Sequence, residues 1–145
     1  MNSRIRMQLL LVFALFTCTV QSPRRVEDIE SLAVTGRVIC DGRPAEKVIV
    51  SLYVEKLFFR QEIAKVYTEA NGTFFIAARD TNSTFIIPRV YFSHTCNCAG
   101  MCFKKVGLPI PKSYITIGDT PQHPYNVGTV ELGVYYPEIY TYCNL

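Results

Sequence analysis

Long basic runs are missing from this sequence. No Lys/Arg stretch exceeds the pairs Arg24-Arg25 and Lys104-Lys105, so the dense positive patch that nucleic acid requires is absent. No apolar stretch reaches the roughly 20 residues that a helix needs to span a bilayer. No Gly-x-Ser-x-Gly occurs, which removes the nucleophile elbow of serine hydrolases. Histidine is scarce, with only His94 and His123. Tryptophan is absent, and the aromatic content rests on nine tyrosines and nine phenylalanines.

What is present starts at the N-terminus. Two arginines in Met1-Asn2-Ser3-Arg4-Ile5-Arg6 precede the apolar run Met7 to Phe16, with small residues following at Thr17, Thr19 and Ser22. This is the layout of a secretory signal peptide, assigned to residues 1–20, with cleavage expected between Cys18 and Ser22. Residues 21–32 are polar and charged at first and read as a flexible arm. Residues 33–145 form one domain of a size that supports a hydrophobic core. The formal charge of +3 is partly leader, because losing Arg4 and Arg6 leaves thirteen basic residues against twelve acidic ones.

Secretion decides how the cysteines are read. Six occur, at positions 18, 40, 96, 98, 102 and 143, and five remain once Cys18 leaves with the leader. The nine residues His94 to Cys102 bring together three thiols and an imidazole. Thiolates and imidazoles are good zinc and copper ligands. However, Cys-x-Cys-x3-Cys is not a common zinc knuckle, and oxidising compartments turn exposed thiols into disulfides. The expectation is therefore two disulfides among Cys40, Cys96, Cys98, Cys102 and Cys143, one odd thiol, no metal and no cofactor, with the pairing left open. Two sequons, Asn71-Gly72-Thr73 and Asn82-Ser83-Thr84, are glycosylation candidates. Asn71-Gly72 also reads as a tight turn joining two matched hairpin arms, so Asn82 is the better candidate.

Beyond the arm, apolar residues alternate with polar ones. The pattern runs through Val34 to Cys40, Val48 to Glu55, Ile63 to Thr68, Phe74 to Ala78, Pro88 to His94, Phe103 to Val106, Tyr114 to Ile117 and Gly128 to Leu132. Period-2 patterning marks strands with one buried face. About seven short strands, frequent turn residues and no clear helix predict an all-β, antiparallel β-sandwich.

A family resemblance rests on motifs in order. They are Gly36 to Ala45 with a cysteine and a Gly-x-Pro turn, Asn71-Gly72-Thr73-Phe74, Ile87-Pro88 leading to His94-Thr95-Cys96, Cys102 followed by Lys104 and Lys105, Ile110-Pro111-Lys112, Gly128 to Leu132, and Cys143. Over residues 33 to 143 the chain resembles the secreted transthyretin-like (prealbumin-like) family of nematodes. Cys98 departs from the pattern, since one cysteine usually follows this histidine; it is either the odd thiol or a substitute for Cys96. The resemblance implies a seven- or eight-stranded sandwich that is secreted and extracellular and can self-associate through edge strands; it implies no settled activity, and the reading taken here is binding to an extracellular protein or cell-surface partner. Two alternatives accompany it. One is a carrier of a small hydrophobic ligand held between subunits. The other is an altered 5-hydroxyisourate hydrolase, a related enzyme with a first-strand histidine and a terminal Tyr-Arg-Gly-Ser. Here those positions hold Arg37 and Tyr142-Cys143-Asn144-Leu145, so no enzymatic activity and no catalytic residue are expected. His94 reads as a structural histidine and His123 as a solvated one.

Binding is expected at loops and edges. Tyrosine combines apolar area with a hydroxyl and suits interfaces. The candidate surfaces are Leu57-Phe58-Phe59-Arg60, the tyrosine-rich end with Tyr135, Tyr136 and Tyr140, and the lysines Lys104 and Lys105.

Overall fold

A computed structural model of the chain describes residues 29–55, 58–81 and 87–143. The expected leader, residues 21–28 of the arm, Leu57 and the Asn82 sequon lie outside these residues. Ten strands follow one another: β1 (Ile29–Cys40), β2 (Arg43–Pro44), β3 (Ile49–Glu55), β4 (Arg60–Tyr67), β5 (Thr73–Thr81), β6 (Ile87–His94), β7 (Cys102–Pro109), β8 (Thr116–Ile117), β9 (Tyr125–Glu131) and β10 (Ile139–Cys143). A 3-10 turn at Lys112–Tyr114 separates β7 from β8. No helix among the described residues is long and apolar enough to cross a membrane.

The strands form two sheets. In the first, β1 is the hub: it pairs antiparallel with β2, β5 and β8, and parallel with β9. The second runs β10-β7-β6-β3-β4, antiparallel throughout. The expected sandwich is therefore present, with one parallel pair inside it. Alternation explains the packing between the sheets. Leu32, Val34 and Val38 of β1, Val50, Leu52 and Val54 of β3, Phe74 and Ile76 of β5, and Val90 and Phe92 of β6 point into one shared core. Phe74 and Phe92 meet edge to face with centroids 5.5 Å apart, joining β5 of one sheet to β6 of the other. Each such buried side chain stabilises the fold by about 1.5–3 kcal/mol.

Three expectations change. The arm ends earlier than expected, because β1 begins at Ile29. Ile29 to Leu32 pair with Thr81 to Ala78, and Ser31 and Leu32 are fully buried. Their backbone partners lie far along the chain, so local composition conceals the strand. The second change concerns the Asn71-Gly72 turn, which does not close a hairpin. β4 belongs to the second sheet and β5 to the first, so the turn carries the chain from sheet to sheet. Only Gly72 has positive φ (79°), whereas a two-residue hairpin turn of the Asn-Gly type needs it at both positions. A Cβ on Gly72 would stand 2.3 Å from the Val38 carbonyl oxygen. The positive-φ pair lies instead at Asp41 and Gly42, between β1 and β2. The third change is the tyrosine-rich tail, which supplies an additional edge strand, β10.

Candidate functional site

The cysteine loop resolves into two staples and one thiol. Cys40 bonds to Cys96 with Cα atoms 6.0 Å apart, tying β1 of the first sheet to the loop after β6 of the second. Cys102 bonds to Cys143, its direct partner in the β7–β10 ladder. Loops of 56 and 41 residues are closed in this way, each worth about 4 kcal/mol in the chain-entropy account. Cys98 is the odd thiol, half-buried. Its S–H points to the carbonyls of Cys96 and His94 at 3.6 and 3.9 Å. Cys40, Asp41 and Cys96 are close enough together to suggest a metal site, but both sulfurs are already bonded to each other and offer no thiolate.

His94 is 5% exposed, and its Nδ1 accepts a hydrogen bond from the Cys96 N–H at 3.2 Å. Burial pushes its pKa down to about 4, and the Lys104 ammonium adds to the effect. It is therefore neutral at pH 7, and among the described residues no carboxylate is hydrogen-bonded to it to orient it as a general base. Arg37, where the related hydrolase has its histidine, donates from Nε to the Asn71 carbonyl at 3.1 Å and braces the turn before β5. Asn71 is itself a turn residue: its Oδ1 accepts from the Thr73 N–H and hydroxyl at 2.9 and 2.7 Å.

The most developed surface is the outward face of the second sheet. Tyr91 of β6 lies on that face, yet it has no exposed surface. It is covered from several sides. The Tyr53 ring meets it edge to face at 5.2 Å, and its hydroxyl donates to Glu138 Oε1 at 2.6 Å. Arg89 pairs with the other Glu138 oxygen, and Tyr140 donates to Oε1 at 3.3 Å. The Lys105 ammonium lies 4.2 Å from the Tyr53 centroid and 4.8 Å from that of Tyr91. Arg60 approaches Tyr91 at 5.3 Å while paired with Glu55 at 2.6 Å. Burial and the adjacent Glu138 carboxylate raise the Tyr91 pKa far above its ordinary value, keeping the hydroxyl a donor. Gly107 of β7 makes the packing feasible: a Cβ there would stand 2.6 Å from the Tyr91 ring and 2.9 Å from the Glu138 carboxyl carbon.

Beside this cluster runs a groove of about 570 Å³, bordered by Ile49, Tyr53, Glu62, Lys65, Phe103 and Lys105 and reaching the Cys40–Cys96 staple. Phe103 is 41% exposed and stacks on Tyr142 at 4.9 Å.

The tyrosine and lysine candidates from the sequence do not form one surface. Lys105 and Tyr140 join the outward cluster, opposite each other in the β7–β10 ladder. Lys104, one residue away on β7, points to the other face and donates to the Asn97 carbonyl at 3.2 Å. Tyr135 is 81% exposed in the loop before β10. Tyr136, its neighbour, packs on the core and donates to the Glu131 carbonyl at 3.0 Å. Sequence reasoning missed Tyr53, Tyr91, Gly107 and Glu138. The alternation places Tyr91 outward, but its cover arrives with Glu138, 47 residues later.

The family model that matches this chain is that of the transthyretin-like family, over residues 35–111. The chain belongs to the transthyretin-like family. It is 32% identical over 115 residues to transthyretin-like protein 5 of Caenorhabditis elegans, covering 77% of this chain and 83% of that protein. Transthyretin-like protein 1 of the same nematode is 27% identical over 135 residues, 87% of this chain and 86% of the relative. Transthyretin-like protein 46 is 33% identical over 107 residues, 71% of this chain and 60% of the relative. The transthyretin-like match holds Cys40, Cys96, Cys102 and the strands that line the groove. β10, with Tyr140 and Cys143, and the preceding Glu138 lie beyond its end.

Proposed function

We propose that this transthyretin-like protein is secreted and acts outside the cell as a non-enzymatic binding protein, engaging a protein or cell-surface partner through a loop and its adjoining edge. The observation that carries this reading is the apolar tip of the second sheet. Phe58 and Phe59, in the turn between β3 and β4, are 90% and 59% exposed. Ile87, at the start of β6, is also exposed at the same end of the sheet, since Glu55 at the end of β3 pairs with both Arg60 and Ile87. Large aromatics at a turn contribute nothing to the core there, and apolar patches of this kind mark interaction sites. The two disulfides support an oxidising, extracellular setting. The non-enzymatic part rests on the state of His94, neutral and buried, and on Arg37, committed to a turn.

The test is binding of fluorescently labelled, disulfide-intact protein to live dissociated cells. The reading expects saturable binding that the double variant Phe58→Asp/Phe59→Asp reduces at least about ten-fold without changing the melting temperature. Binding that never saturates, or that the double variant leaves intact, overturns it.

A further inference from the structure

The groove on the second sheet carries an imbalance of charge. Three lysines border it, Lys47, Lys65 and Lys105, against two carboxylates, Glu46 and Glu62. Both carboxylates are already engaged: Lys47 lies 3.6 Å from Glu46, and Lys65 lies 3.0 Å from Glu62. Glu62 also accepts the Tyr53 hydroxyl at 2.9 Å. Among the described residues, Lys105 has no carboxylate within ion-pair distance and rests over two tyrosine rings instead. Burial lowers its pKa, meaning that its ammonium is short of water. One unpaired, partly dehydrated positive charge thus faces a groove whose walls include Ile49, Tyr53 and Phe103. A ring face stabilises an ammonium less than a carboxylate does, so an incoming anion improves the site.

We propose that this groove binds a small monocarboxylate with an apolar body, an alkyl or aryl carboxylate, with its charged end on Lys105 Nζ and its body against Tyr53 and Phe103. The charge selects a monoanion, because a single ammonium is unpaired and Glu62 repels a second negative group. A cationic ligand would meet Lys65 and Lys105. A neutral one would leave Lys105 as it is. The volume lies within the range of small-molecule pockets. This site lies within one chain and requires no second subunit, unlike a carrier that holds its ligand between subunits. It also stands apart from the tip at Phe58 and Phe59, since Ile49 is at the opposite end of β3.

Isothermal titration of the intact protein with decanoate and with 1-decanol tests the proposal. The expected result is one saturable decanoate site, with affinity about ten-fold or more above that for decanol. Lys105→Gln should abolish the difference between the two probes, Lys105→Arg should retain it, and Lys104→Gln, on the other face of β7, should leave it unchanged. Phe103→Ala, at an exposed position, should weaken both probes alike. Absence of saturable heat up to millimolar decanoate overturns the proposal. So do equal affinities for acid and alcohol, or a Lys104→Gln effect as large as that of Lys105→Gln.

Discussion

β1 and β10 are held in opposite ways. β1 has partners along both edges and is buried over Ser31 to Val34, where even the outward-pointing Ala33 is covered. Among the described residues β10 pairs with β7 alone, and most of its own residues are exposed. β1 also carries a disulfide, Cys40–Cys96, at its last residue, but burial secures the rest of its length; β10 depends on the Cys102–Cys143 bond and on the Glu138 contacts just before it. A strand at the centre of a sandwich is secured by packing. One at the rim needs covalent and ionic anchors, because it buries too little to offset its ordering entropy.

The contrast can be broken at its strongest point first. Phe92, opposite Val50 and in contact with Phe74, stands for the centre. Phe92→Ala should cost about 3–5 kcal/mol and lower the chemical-denaturation midpoint for every probe together. Cys102→Ser/Cys143→Ser should cost about 2–4 kcal/mol. Hydrogen exchange should show the loss locally, with β10 amides exposed while β1 amides keep their protection. Uniform loss across both strands would show that β10 is integral to the core.

His94, at the end of β6, gives a pH-dependent effect of intermediate size. Its native pKa, about 4, lies below the ordinary 6.5 because the buried ring resists charging. The unfolded chain therefore binds the proton first. Stability is complete above about pH 6.5, falls by about 3 kcal/mol as pH drops from 6.5 to 4, and receives little further loss from this group below that. Melting curves of His94→Gln across this window should be flatter than those of the unaltered protein. The smallest effect is expected from Tyr91→Phe, which removes the hydroxyl bonded to Glu138 and should cost about 1 kcal/mol. It should also loosen the start of β10 in hydrogen exchange.

The sequence made the strands legible wherever a strand buries one face. Val48 to Glu55 and Pro88 to His94 alternate as β3 and β6 do, and the cysteine loop in a secreted context pointed to disulfides. It was less informative where partners are distant. Ile29 to Leu32 look polar at their start and acquire a structure only through β5 and β8. Asn71-Gly72 has the chemistry of a hairpin turn, yet β5 finds a better ladder on β1 than on β4. The candidate site was legible in part. Lys105 and Tyr140 were identified, but the adjacent Lys104 was grouped with them because proximity in sequence conceals the alternation that sends it to the other face. Tyr91 has the pattern of an exposed residue, and only tertiary structure brings Glu138, Arg60 and Lys105 over it.

The two disulfides also set a mechanical path through the molecule. A pull applied at the two ends travels along β1 to Cys40, crosses to Cys96, follows the cysteine loop to Cys102, and leaves through Cys143. Residues 41–95 and 103–142 are bypassed and carry no load. Tension can peel β1 upstream of Cys40 or straighten the short loop, but it cannot extend the chain of the second sheet, which is disturbed only through the core it shares with β1. The pulled length is therefore set by the ends and the short cysteine loop, not by the two segments that the bonds bypass.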